Sequence, residues 1–116
     1  MAVILQVSFQ WDEDEQSVHA TSVAEARRLS GRTEFVWKMI LRDPATKTSG
    51  AIYLFESREK AQAWRAELFE RRGSGIEARI FEIDDEASRL TRAPLAARSA
   101  EQPAILVEQL NASNDE

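Results

Sequence analysis

Residues 35–55, FVWKMILRD-PATKTS-GAIYLF, decide the fold. Two apolar runs flank a segment of turn-forming residues, which is the pattern of a β-hairpin. In the first run Phe35, Trp37, Met39 and Leu41 point one way, and Val36, Lys38, Ile40 and Arg42 point the other. The second run is apolar on both faces, with Ala51, Tyr53 and Phe55 backed by Ile52 and Leu54. A half-buried strand alternates apolar and polar residues, so a strand apolar on both faces needs cover on both sides. The rest of the chain has to supply that cover.

Working outward, residues 2–9 (AVILQVSF) form a strand whose main apolar face is Val3, Leu5, Val7 and Phe9. It is expected at the centre of the sheet, paired with the second run of the hairpin. The acids Asp12-Glu13-Asp14-Glu15 stand at the entrance of a helix over 16–30, where carboxylates favour the positive end of the dipole. Consecutive acids in a turn cannot converge on one ion, so a metal site is not expected there. The apolar stripe of this helix, Val18, Ser22, Ala26 and Leu29, is thin, which leaves space between helix and sheet. Gly31 stops it. Ser57 is a good N-cap for a second helix, REKAQAWRAELFERR, which turns Ala61, Trp64 and Leu68 to one face and ends at Gly73-Ser74-Gly75. A last strand over 76–84 carries charges among its apolar residues, as an edge strand does.

The order is βαββαβ. Two right-handed crossings of this kind build a four-stranded antiparallel sheet with both helices on one face, a ferredoxin-like α+β sandwich. The other face is left bare and apolar. Its simplest cover is a second copy of the same sheet, so a homodimer through the helix-free face is predicted.

With 116 residues the chain has length for one domain. That domain is placed at 1–96, followed by an extension over 97–116. The extension holds a short apolar run, residues 104–107, that would add a strand near 104–110, and it ends in an acidic tail. The net charge of −5 argues against a nucleic-acid partner. Absence of cysteine excludes a disulfide framework and a thiolate nucleophile. No leader pattern and no apolar run near the ~20 residues of a membrane span is seen, so a cytoplasmic protein without a membrane partner is expected.

The stretches MAVILQVSFQW, FVWKMI with SGAIYLFES, and ARIFEIDDEASRLTRAPL resemble the YdhR-type monooxygenase family, over residues 1–96. The resemblance implies membership of the dimeric α/β-barrel superfamily that also holds antibiotic-biosynthesis monooxygenases. Those enzymes oxidise electron-rich aromatic polycycles with molecular oxygen and no metal, flavin or haem. It therefore implies no cofactor here and an aromatic or apolar small molecule as partner. It supplies no catalytic residue to carry over. The acidic helix entrance departs from the Gly and Pro expected in relatives.

Residue types suggest the site. Oxygenation without a cofactor needs an apolar pocket, a group to hold the proton, and exclusion of bulk water. Phe35, Trp37 and Met39 on one strand face, with Trp64 above them, would wall such a pocket. Tyr53, Trp37 or Trp64 would supply a hydrogen-bond donor. His19 is the one group whose unperturbed pKa suits a general base near neutrality. His19 and Tyr53 are thus the catalytic candidates, though each of these residues serves equally as packing or surface. Three function classes stay open. They are a cofactor-independent monooxygenase acting on an aromatic or quinol-like molecule, a non-catalytic dimeric binding protein for an apolar small molecule, and haem degradation. The last has Trp64 in its favour, but no histidine follows it.

Overall fold

The computed structural model describes residues 1–95. In chain order these form β1 (Val3–Gln10), α1 (Glu15–Leu29), β2 (Trp37–Asp43), β3 (Thr48–Phe55), α2 (Arg58–Arg72), a 3-10 turn over Gly73–Gly75, β4 (Ile76–Glu82) and α3 (Asp85–Leu90). The sheet order is β2-β3-β1-β4, with every neighbouring pair antiparallel. This is the expected ferredoxin-like βαββαβ architecture, and β1 and β3 are its central strands.

Register sets the two faces. Leu5 stands opposite Tyr53 and Ile80, and Val7 opposite Ala51 and Ala78. Leu5, Tyr53, Val7, Ala51 and Ala78, with Val3, Phe55 and Ile76, join Leu29 of α1 and Ala61, Trp64 and Leu68 of α2 in one buried cluster, and half-buried Ile80 packs against it. Both helices therefore cover the same face. Burying a Leu or Phe side chain contributes roughly 1.5–3 kcal/mol, and a one-residue slip would turn every one of these to the other side. Register is strongly specified here.

The helices begin where their caps predict. The Asp14 carboxylate accepts from the Ser17 amide at 2.9 Å and from its hydroxyl at 3.0 Å. The Ser57 hydroxyl accepts from the Lys60 amide at 3.3 Å. Gly73 closes α2 at φ 70°, a left-handed conformation that glycine adopts without steric cost. The helices differ in what they bury. From α2, Ala61, Trp64 and Leu68 are buried; from α1, only Val18 and Leu29. Accordingly α2 lies close on β1, β3 and β4, while α1 stands off from the sheet.

The opposite face carries Ile4, Ile52, Leu54, Trp37, Met39, Leu41 and Phe81, by the same register. Leu54 is fully buried, whereas Met39 is 51% exposed. The segment after α3 reaches this side of the molecule, where the Trp37 indole donates to the Pro94 carbonyl at 2.8 Å.

Some boundaries differ from those read in the sequence. β2 begins at Trp37 rather than Phe35, because the chain bends at residues 34–36. β4 stops at Glu82, and Asp84 instead caps α3, accepting from the Ala87 amide at 3.1 Å. A six-residue helix is too short to declare itself by periodicity, and α3 was not anticipated. The extension over 97–116, with the apolar run at 104–107, lies outside the described residues. Among the described residues no helix is long and apolar enough to cross a membrane.

Candidate functional site

The thin apolar stripe of α1 leaves a cavity of about 170 Å³ between that helix and the helix-facing side of β1, β2 and β3. Its apolar wall is Val7, Phe9, Val18, Ile40 and Leu68, with the ring of Tyr53. Ile40 stays 39% exposed because α1 does not reach far enough to cover it, and the cavity opens on that side. Two cations stand over aromatic rings in the wall. The Arg72 guanidinium is 4.4 Å from the centroid of Phe9, and Lys38 Nζ is 4.9 Å from that of Tyr53. Two acids, Glu13 and Glu25, complete the charged lining, and Glu25 is paired with Arg28 at 2.6 Å.

Two further wall residues carry polar atoms that are unpartnered. Ser49 is 6% exposed, and its Oγ has no hydrogen-bond partner among the described residues. The Nε1 of Trp11 is likewise buried and unpartnered. Leaving a buried donor unsatisfied costs about 1–3 kcal/mol, so two in one cavity wall is a notable arrangement. Both were missed in the sequence. Their signal is alternation. Trp11 falls two residues beyond Phe9, and Ser49 two before Ala51, so each continues a strand face already assigned to the helix side. Ser49 is the one polar side chain on that face of β3 next to Ala51 and Tyr53.

The residues singled out in the sequence are distributed as follows. Tyr53 is in the cavity wall and only 3% exposed. Phe35 and Trp64 meet edge to face at 5.4 Å, and both pack on Tyr53, at 5.6 Å each. They form the core beside the cavity rather than its lining. Trp37 and Met39 are on the opposite side of the sheet, opposite Leu54 and Ile52. The four residues Phe35, Trp37, Met39 and Trp64 therefore do not wall one pocket. The bend at 34–36 breaks the alternation and turns Phe35 to the helix side while Trp37 stays on the other. At the start of that bend Arg32 pairs with Glu34 through bonds of 2.6 to 3.1 Å. The Arg32 hydrogen bonds hold the Glu34 carboxyl down at about 2. The same guanidinium lies 5.0 Å from the Trp64 ring centroid.

His19 is outside the cavity. It lies in a shallow outer groove with Glu15, Arg42 and Pro44. Successive helical residues point about 100° apart, so with Val18 turned inward His19 is turned out. Ser22 and Ile40 border both spaces and separate them. Among the described residues no three His, Asp or Glu side chains gather to hold a metal ion.

No curated protein sequence matches the chain. Among solved structures, the chain is similar to Rv0793 from Mycobacterium tuberculosis, with a TM-score of 0.52 at 14% identity, over 76% of this chain and all of that one. At that identity the likeness is one of fold. A formyltetrahydrofolate deformylase from Burkholderia mallei overlaps 71% of this chain and 28% of its own at 14% identity, with a TM-score of 0.41, too distant to argue from. The family model described as "Putative mono-oxygenase ydhR" matches residues 4–94, the greater part of the chain, and the chain belongs to that family.

Proposed function

We propose that this chain is a monooxygenase that oxidises an aromatic or quinol-like small molecule in the cavity beneath α1, using molecular oxygen and no resident cofactor. The family supports the oxygenase class. The observation that carries the site is the aromatic-walled cavity, with Tyr53 in its wall and a few polar groups among apolar ones. The chemistry balances without an added reductant. A phenol and one dioxygen give a quinone and one water, the substrate supplying all the electrons. Its anion passes an electron to oxygen, the resulting pair recombines on ring carbon, and loss of water leaves the carbonyl. The protein's tasks are to favour the anion, keep bulk water out, and hold a proton for the departing oxygen. Tyr53 is the wall residue whose hydroxyl suits the last task.

A second reading, a dimeric binding protein for an apolar small molecule, is favoured by one feature. His19, the side chain best suited to act as base, faces away from the cavity. Haem degradation is the least supported, because about 170 Å³ is the scale of a single ring and not of a tetrapyrrole. The reading includes a homodimer joined through the helix-free sheet faces. Oxygen uptake separates the first two. Metal-free protein given phenols and quinols should consume oxygen above the spontaneous rate, and Tyr53→Phe should lower that rate about a hundredfold or more, the range that general acid–base groups contribute. No protein-dependent uptake, with saturable ligand binding, would establish the binding protein instead.

A further inference from the structure

We propose that Lys38 is the group that selects the ionised form of the substrate. A single-ring phenol enters the cavity beneath α1 ring first, and its anionic oxygen rests on the Lys38 ammonium at the mouth. This deepens the reading above and rests on that cavity being the substrate site.

Register places the cation. Lys38 stands directly opposite Tyr53 on the helix-facing side of the sheet, two residues before Ile40, where the cavity opens. Side chains opposed in this way start about 4.5–5.5 Å apart at Cβ. Here Lys38 Nζ is 4.9 Å from the Tyr53 ring centroid, so the cation and the proton-holding tyrosine share one stretch of wall.

Lys38 is half-buried, and a lysine on the covered side of a sheet is ordinarily matched by an acid. Lys38 is in no ion pair among the described residues. The Tyr53 ring meets one side of the ammonium, and three N–H donors on one nitrogen leave room for an acceptor oxygen. Charge on that oxygen strengthens the bond.

The other charged or titratable groups around the cavity are Glu13, Glu25, Tyr53 and Arg72, with Arg42 next along the same face of β2. Glu25 is tied to Arg28. Glu13, Arg42 and Arg72 are exposed, where water and salt screen their charge. The Nε1 of Trp11 and the Oγ of Ser49 are shut behind the wall surface. Lys38 is thus the half-buried cation that the cavity presents.

Size and solvation agree. An apolar cavity of about 150 Å³ admits benzene. The cavity here is about 170 Å³, room for one substituted ring. An anion deep among apolar side chains would forfeit its hydration, whereas at the mouth it keeps part of it and gains a cation.

The test is absorbance titration of 4-nitrophenol, whose ionised form is coloured, with 4-nitrotoluene as the match lacking the oxygen. A neighbouring cation favours the ionised form, so bound 4-nitrophenol should ionise about one pH unit below the free compound. Lys38→Met, which keeps the apolar stem, should abolish that shift and weaken phenolate binding about tenfold, the effect of one hydrogen bond to a charged group. Binding of 4-nitrotoluene should be unchanged. Lys38→Gln, equally uncharged, carries the same expectations and decides should Lys38→Met fail to fold. Ionisation at the same pH bound and free, a shift that survives loss of the Lys38 charge, an equal loss of 4-nitrotoluene binding, or no binding of 4-nitrophenol would each overturn the proposal. Oxygen uptake that persists while the shift survives Lys38→Met would remove Lys38 and keep the oxygenase reading. A Lys38-dependent shift without oxygen uptake would remove the oxygenase reading and leave the anion site standing.

Discussion

At Gly50 the spacing of the two central strands depends on one missing methyl group. A Cβ built there would meet the Val7 carbonyl oxygen at 2.5 Å, and that oxygen is backbone that cannot swing aside. Gly50→Ala therefore has to push β1 from β3. It should lower stability by about 1–3 kcal/mol, the usual cost of overpacking, seen as a lower urea midpoint with unchanged slope. An unchanged midpoint would show that the strands yield freely. None of this was legible in the sequence, where Gly50 simply opens the second apolar run after the turn residues. Its reason lies in the opposing strand. Phe35 teaches the same lesson differently. Alternation placed it with Trp37, and the bend at 34–36, which breaks that alternation before the strand begins, turns it to the helix side instead.

Elements were more legible than single residues, because periodicity and caps act over many positions. The strands declared themselves by apolar alternation, the helices by Asp14, Ser57 and the glycines that close α2. The poverty of the α1 stripe, read as space above the sheet, is where the cavity lies. What alternation could not reveal was α3, whose six residues give no full pattern. The helix-free face of the sheet also behaves as an element. Met39, Leu41 and Phe81 are exposed there, beside half-buried Ile4 and Ile52. Apolar side chains gathered on one sheet face call for a partner, and the proposed homodimer sets a second copy of the sheet there. Sedimentation equilibrium should report a mass of two chains, and Met39→Glu, which puts a charge on the face without touching the core, should shift it toward one. A single-chain mass for the unaltered protein would contradict the dimer.

For the whole molecule, fold and family were within reach of the sequence while the site was only half so. The topology follows from the order of elements and the handedness of crossings, which local patterns dictate. The site depends on which residues a particular register and helix stand-off bring together. Tyr53, singled out as a polar aromatic on a buried strand, does line the cavity. Trp11 and Ser49 were passed over because each looked like the margin of a turn, and His19 was favoured for its chemistry although its helix turns it outward. The three tryptophans now mark three places: Trp11 in the cavity wall, Trp64 in the aromatic core, and Trp37 on the far side of the sheet. Their indole N–H signals in a nitrogen-15 correlation spectrum, followed during titration with 4-nitrophenol, test directly whether the cavity beneath α1 is the working site. The Trp11 signal should move saturably while those of Trp37 and Trp64 hold their places. Movement of Trp37 or Trp64 with Trp11 still, or no movement of any of them, would contradict it.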